Sequence, residues 1–258
     1  FLKAAAGLAL VLMALVAADR SGALSIQPEG LSAAAGTLLA LVVVGLFGWM
    51  LFAADWTPEE RKRIIAIAIL FAAATVFWSV FEQAGSTLNL FADRATDNSI
   101  FGYPFPASWF QSVQPLGIVL LAPAFAAIWL KLGPRDPSSA TKFSLALFAV
   151  GASFLILVPA SLASGGGTRV SPLWLTATYI LHSIGELCLG PVGLSVFNKL
   201  APARVAGFMM GVWFLSISLG NFMGARVSSV YESFPLPQLF GLVGGGAVIA
   251  GVVLVILI

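Results

Sequence analysis

The chain has 258 residues, of which 59% are apolar and only 9% are charged, and this balance excludes an ordinary soluble globular domain. A formal net charge of +2 is too small to indicate a nucleic-acid-binding surface. A single cysteine and a single histidine exclude an internal disulfide and a multi-histidine metal site. We therefore interpret the chain as a membrane protein, and we expect no metal and no cofactor.

Apolar runs recur along the whole chain, and most are long enough to cross the roughly 30 Å hydrocarbon core of a bilayer. We predict transmembrane helices at approximately 4–18, 31–54, 63–92, 107–131, 140–163, 172–199, 205–230 and 238–258. The first segment has an alternative interpretation, because Lys3, the apolar run after it and the small residues at 16–18 also resemble a secretory signal peptide. The breaks between segments are short and leave little room for extramembrane domains. Function is therefore expected between the helices.

Basic residues near the predicted helix ends are divided unequally between the two sides of the membrane. One side carries Arg61, Lys62, Arg63, Lys131, Arg135, Lys142, Lys199 and Arg204, and the other carries Arg94, Arg169 and Arg226. The excess of lysine and arginine marks the first side as cytoplasmic.

Two acidic residues, Glu82 and Glu186, fall well inside predicted spans, whereas the other acidic residues lie in loops or near span ends. A charged side chain at a helix centre costs about 2.5–3.5 kcal/mol on insertion scales, so such residues face a bundle interior or an aqueous cavity. Helical spacing places Ser79, Gln83, Ser86 and Asn89 on the face of Glu82, and Tyr179, His182 and Ser183 on the face of Glu186. The sequence therefore predicts two polar stripes that face a polar or aqueous space.

Proline and glycine residues modify three of the predicted spans. Pro115 follows Gln111, Ser112 and Gln114, and Pro191 follows Glu186 by five residues, so both prolines are predicted to bend a helix near a polar patch. Gly207, Gly211, Gly220 and Gly224 form two small-xxx-small pairs that favour close helix contact. A structural role as interhelical hydrogen-bonding groups stays open for Ser79, Ser86, Gln111 and Ser183.

Signatures of catalysis are missing from the sequence. His182 and Glu186 are spaced to touch one metal ion, but only Cys188 remains as a further thiol or imidazole ligand. The glycine run 165–167 lacks the lysine and the serine or threonine of a phosphate-binding loop. We therefore predict that the protein is not an enzyme.

Four sequence blocks resemble, in family order, the carboxy-terminal half of the proton-dependent oligopeptide transporter family, a branch of the major facilitator superfamily. The blocks are FEQAGSTLNLFADR (81–94), WFQSVQPLGIVLLAPAFA (109–126), LHSIGELCLGPVGLSVFNKLAPAR (181–204) and GFMMGVWFLSISLGNFMGA (207–225). The resemblance implies an all-α, polytopic protein of the inner (plasma) membrane. Residues 61–258 would form a six-helix half bundle, and residues 1–60 the two-helix hairpin that bacterial members carry between their halves.

The resemblance also implies roles for individual residues. Glu186 is similar to the family glutamate that holds the amino terminus of the peptide and pairs, in the empty site, with a lysine of the absent amino-terminal half. Glu82 is similar to the glutamate that pairs with an arginine of the first family helix and helps to close the extracellular side. Both glutamates are candidates for proton coupling.

Further resemblances concern the walls of the peptide site. Trp78 and Trp213 are similar to the aromatic walls of side-chain pockets, and Ser216 is a weaker candidate for the same wall. Gln114 stands where the family commonly has asparagine; it is one methylene longer but keeps both donor and acceptor. Its contact with the peptide backbone is therefore in question.

The resemblance predicts the carboxy-terminal half of a proton-coupled di- and tripeptide symporter that works by alternating access. Its expected partners are small peptides, protons, the lipid bilayer and the missing amino-terminal six-helix half. One alternative is a non-transporting scaffold or regulatory half that pairs with a separate subunit. Another is a family member that carries nitrate or another small solute.

Overall fold

A computed structural model describes Met13 and residues 28–257. The predicted span 4–18 therefore lies, apart from Met13, outside the described residues. The chain divides into two compact units, Phe1–Leu46 and Phe47–Ile258. In the first unit the described structure is the greater part of one helix, α1 (Pro28–Gly48), and all the predicted site residues belong to the second.

The second unit is built almost entirely from helices. The α-helices that follow α1 are α2 (Pro58–Phe81), α3 (Thr87–Ala95), α4 (Val113–Leu132), α5 (Ser139–Leu155), α6 (Leu157–Ser164), α7 (Leu173–Leu200), α8 (Met209–Ser229) and α9 (Leu236–Leu257). A π-helix covers Trp49–Ala53, and 3-10 turns cover Glu82–Gly85, Ala107–Ser112, Gly133–Arg135 and Ala206–Phe208. One short antiparallel hairpin joins β1 (Ser99–Ile100) to β2 (Tyr103–Pro104).

Seven helical stretches among the described residues are long and apolar enough to cross a membrane. They are Gly30–Phe52, Pro58–Ala95, Ala107–Arg135, Ser139–Ser164, Leu173–Leu200, Ala206–Ser229 and Leu236–Leu257. Each coincides with a predicted span, which confirms an all-α, polytopic membrane fold for the described part of the chain.

The first predicted polar stripe is interrupted by a break in the helix. α2 ends at Phe81, a 3-10 turn covers Glu82–Gly85, and Ser86 has φ −122° and ψ −89° before α3 begins. Gly85 has the lowest helix propensity of the non-proline residues, and Ser86 follows it directly, which favours a break here. The predicted span 63–92 is therefore confirmed as part of the membrane-crossing stretch Pro58–Ala95, but its α-helix is interrupted between Phe81 and Thr87.

Of the two prolines predicted to bend a helix, Pro191 lies inside α7, whereas Pro115 does not lie in the interior of its helix. Pro115 lies in the first turn of α4, where it removes no helical hydrogen bond, and the interior proline of that helix is Pro123. The predicted span 140–163 consists of two helices that meet at Ile156. Pro159 has no N–H to donate to the carbonyl of Leu155, which accounts for the break.

Close contact between α2 and α8 depends on two glycines. A Cβ on Gly220 would lie 2.6 Å from Cβ of Trp78, and a Cβ on Gly224 would lie 2.7 Å from the carbonyl oxygen of Ser79. The second predicted small-xxx-small pair therefore makes the expected helix contact. For the first pair, Gly207 and Gly211, no atom of a neighbouring element lies within 4 Å of the corresponding positions, so among the described residues this pair makes no such contact.

Candidate functional site

Glu82 and Gln83 are adjacent in the sequence but point into different environments. Glu82 is exposed, whereas Gln83 is buried and uses both ends of its amide. The Gln83 Nε2 donates to the Ser79 carbonyl oxygen at 3.0 Å, and the Thr87 hydroxyl donates to Gln83 Oε1 at 2.9 Å. Gln83 therefore bridges the end of α2 and the start of α3, and the prediction that it shares an open face with Glu82 was wrong.

Ser86 also has a structural contact. Its Oγ lies 2.7 Å from Oγ of Ser228 on α8, and the Thr87 Oγ1 lies 3.0 Å from the same Ser228 oxygen. These hydroxyl groups join the broken helix to α8, as expected of interhelical hydrogen bonds between membrane helices. Asn89 and Gln111 approach each other at 3.5 Å between Oδ1 and Nε2, which is at the limit of a hydrogen bond.

Glu186 is half-buried on α7 and is held by Gln114 of α4. The Gln114 Nε2 donates to Glu186 Oε2 at 3.1 Å, and the Ser183 hydroxyl donates to the Gln114 main-chain oxygen at 2.9 Å. The helices can approach this closely because a Cβ on Gly117 would lie only 2.5 Å from Oγ of Ser183. Helix α4 therefore presents an amide directly to the glutamate carboxylate, a contact that sequence spacing did not predict because it joins two different helices.

The two glutamates belong to one connected part of the bundle. The Tyr179 hydroxyl on α7 donates to the Ala84 carbonyl oxygen at 2.9 Å, which connects the helix of Glu186 to the 3-10 turn that begins at Glu82. Within residues 28–257, no lysine or arginine lies within ion-pair distance of either carboxylate. In the described residues the two carboxylates therefore form an acidic surface without an ion-pair partner.

The predicted aromatic walls lie in the core of this chain. Trp78 is 8% exposed, Trp213 is 4% exposed and Ser216 is fully buried. The two indole rings meet edge to face with centroids 6.2 Å apart, and Trp213 also packs against Phe197. The Ser216 hydroxyl donates to the Trp213 carbonyl oxygen within α8. In the described residues these side chains stabilise helix packing, and their role as walls of a substrate pocket stays a prediction.

His182 is the most unusual buried polar group near the acidic surface. It is fully buried one turn before Glu186, and its ring stacks against Phe81 and Phe154 with centroids 5.4 and 6.2 Å away. Neither ring nitrogen has a hydrogen-bond partner in the described residues. A buried polar atom without a partner carries a desolvation penalty of about 1–3 kcal/mol. The predicted polar stripe on α7 therefore lies largely in an aromatic core, and only Glu186 emerges from it.

The substitution His182→Phe is expected to stabilise the protein by about 1 kcal/mol, because it removes two unpaired polar atoms and keeps the stacked ring. The measurement is the thermal unfolding midpoint in detergent, with His182→Leu as the control that removes both the polar atoms and the aromatic stacking. We expect the order of stability to be phenylalanine, histidine, leucine. A phenylalanine variant less stable than the wild type would contradict the reading of His182 as an unsatisfied group.

The helices and the acidic surface together define a multi-pass membrane protein with ionisable groups at membrane depth. A model of the POT family matches residues 38–242, which is more than half of the chain. The chain belongs to this family.

Two relatives illustrate the similarity in sequence. The peptide transporter YePEPT of Yersinia enterocolitica is 36% identical over 255 residues, which cover 96% of this chain and 50% of that protein. A di-/tripeptide transporter of Lactococcus lactis subsp. cremoris is 35% identical over 226 residues, covering 86% of this chain and 46% of the relative. The chain thus spans about half the length of the curated relatives it matches.

Solved structures agree with the fold. A peptide transporter POT in complex with sulfate superposes with a TM-score of 0.88 at 38% identity, covering 99% of this chain and 52% of that one. A POT family transporter in complex with 5-aminolevulinic acid superposes with a TM-score of 0.85 at 29% identity, covering 99% and 53%.

Proposed function

We propose that this chain is the carboxy-terminal half of a proton-coupled di- and tripeptide symporter, with residues 1–60 as the inter-domain hairpin and 61–258 as the six-helix bundle. The observation that carries the proposal is the pair of carboxylates, Glu82 and Glu186, on one acidic surface without a cation from the described residues. A peptide ammonium group is a suitable partner for such a surface. Six of the candidate spans begin at or after Pro58, which agrees with a six-helix half.

Glu186 is proposed to bind the amino terminus of the peptide, with Gln114 holding the carboxylate in position. The hydrogen bond from Gln114 Nε2 at 3.1 Å occupies one carboxylate oxygen and leaves the other for the ligand. Relatives described as peptide transporters, and a family member complexed with 5-aminolevulinic acid, support a ligand with an amino group and a carboxylate. The carboxylate of such a ligand needs a cation, which we assign to the amino-terminal half.

Glu82 is proposed to couple proton binding to opening of the site. It begins the 3-10 turn that breaks the α2–α3 helix, and it is exposed, so water and protons have access to it. A carboxylate that loses its cationic partner when the halves separate becomes easier to protonate. Movement of the halves and protonation of Glu82 are then linked.

The test is the substitution Glu82→Gln in the complete transporter, reconstituted in liposomes. We expect accumulation driven by a proton gradient to be lost, while exchange of peptide between the two sides persists, because exchange needs binding but no net proton movement. Asp93→Asn is the control, since Asp93 is an exposed acid at the end of the same pair of helices. If both accumulation and exchange survive unchanged in Glu82→Gln, the coupling role is wrong.

A further inference from the structure

An apolar groove runs along the described surface where α2 and α9 meet. It consists of two adjoining cavities of about 370 and 220 Å³ that share Ile69, Leu254 and Leu257. One end of the groove is lined by Ala66 of α2, by residues 138–140 at the start of α5 and by the last turns of α7. The other end of the groove is lined by Val76 of α2. We refer to this feature as the α2–α9 groove.

The length of the α2–α9 groove matches one leaflet of a bilayer. Ala66 and Val76 are ten residues apart on α2, which corresponds to about 15 Å at 1.5 Å per residue. This is about half of the roughly 30 Å hydrocarbon thickness of a bilayer. The groove therefore has the dimensions of a site for a single acyl chain that enters from the cytoplasmic side.

Basic residues flank the cytoplasmic mouth of the groove. Ala66 lines the groove, and Arg63 lies three residues before it on the same face of α2. Val196 also lines the groove, and Lys199 lies three residues after it on α7. Both side chains are on exposed residues, and in residues 28–257 neither has a carboxylate within ion-pair distance. The acid next to the mouth, Asp136, is already paired with Lys142 at 2.7 Å.

The start of α5 adds hydrogen-bond donors to the same mouth. The Ser138 hydroxyl accepts from the Thr141 N–H and so caps one donor of the first turn. The N–H groups of Ser139 and Ala140, residues that line the groove, have no acceptor within the helix. Exposed amides at a helix N-terminus favour an anionic group. Charge and hydrogen-bond donors at the mouth therefore complement a phosphate, and the groove complements its acyl chain.

We propose that the α2–α9 groove binds an anionic phospholipid of the cytoplasmic leaflet. The headgroup phosphate lies between Arg63, Lys199 and the first amides of α5, and one acyl chain follows α2 from Ala66 towards Val76. Basic sites between transmembrane helices on the cytoplasmic side are a recurrent mode of recognising anionic lipid headgroups. The site is separate from the acidic surface and does not depend on the proposed peptide transport.

The experiment is a titration of phosphatidylglycerol or phosphatidylcholine into the delipidated complete protein, with bound lipid counted by native mass spectrometry. The headgroup variant is Arg63→Gln with Lys199→Gln. Its control is Arg61→Gln with Lys131→Gln, which removes the same charge from exposed residues that do not lie one helical turn from any residue lining the groove. The acyl-chain variant is Ala72→Phe, which fills the groove, and its control is Val252→Phe on the exposed face of α9.

We expect the wild type and both controls to bind phosphatidylglycerol in preference to phosphatidylcholine. The headgroup variant should bind phosphatidylglycerol about 30-fold more weakly, on the order expected for two basic contacts, and should lose the preference. Ala72→Phe should weaken binding of both lipids. Equal binding of the two lipids by the wild type, or variants that match their controls, would overturn the proposal. Unchanged unfolding temperatures establish that the variants are folded.

Discussion

Replacing Glu186 by glutamine in the complete transporter is expected to weaken the binding of peptides with a free amino terminus by at least about 30-fold. The carboxylate is half-buried, and its neighbour Gln114 supplies an amide rather than a second charge. The glutamine would leave a partly desolvated ammonium group without a counter-charge, and breaking such a pair typically costs 2–5 kcal/mol. Equilibrium binding of a labelled dipeptide to protein in lipid nanodiscs measures the effect.

The control for this substitution uses the ligand as well as the protein. An N-acetylated dipeptide carries no ammonium group, so it should bind the wild type weakly and should bind Glu186→Gln with nearly the same affinity. Glu59→Gln, at an exposed acid in the first turn of α2, should leave binding of both peptides unchanged. A loss of affinity that is equal for free and acetylated peptides would mean that Glu186 does not contact the amino terminus.

The transmembrane architecture was predictable from the sequence because hydrocarbon imposes a strong compositional requirement. A helix that crosses the bilayer needs about 20 mainly apolar residues, and the described spans follow these runs closely. Breaks within a run were not predictable in this way, because they depend on local backbone chemistry. The 3-10 turn at Glu82–Gly85 and the junction at Ile156 both lie inside continuous apolar stretches.

The candidate site was only partly predictable, because periodicity assigns a face to each side chain but does not say what covers that face. Glu186 and Tyr179 share a helix face, yet Tyr179 is fully buried and donates to the Ala84 carbonyl oxygen. The contact of Gln114 with Glu186 joins residues 72 positions apart, and no local pattern specifies it. The resemblance to the transporter family identified Gln114 and Glu186 as site candidates, but it did not predict the contact between them.

The second large effect that we expect is a loss of stability when a glycine of α8 at the contact with α2 is replaced. The substitution Gly220→Val is expected to destabilise the 258-residue chain by about 3 kcal/mol or more, the upper end of the usual cost of overpacking. The added Cβ would lie 2.6 Å from Cβ of Trp78, 2.9 Å from the Thr75 carbonyl oxygen and 3.0 Å from the Ser79 nitrogen. Two of these atoms belong to the α2 backbone, so relief requires the whole helix to move away.

Gly211→Val is the matched control for this second prediction, because it makes the same change on the same helix. No described atom outside the backbone of its own helical turns lies within 4 Å of the position that its Cβ would occupy, so the cost to folding should be below about 1 kcal/mol. Folded yield from membranes and the thermal unfolding midpoint in detergent compare the two variants. If Gly211→Val loses as much folded protein as Gly220→Val, the loss follows from glycine content in α8 and not from the α2–α8 contact. A low yield for Gly220→Val alone would instead mean that Gly220 sets the distance between α8 and α2, the helix whose end positions Glu82.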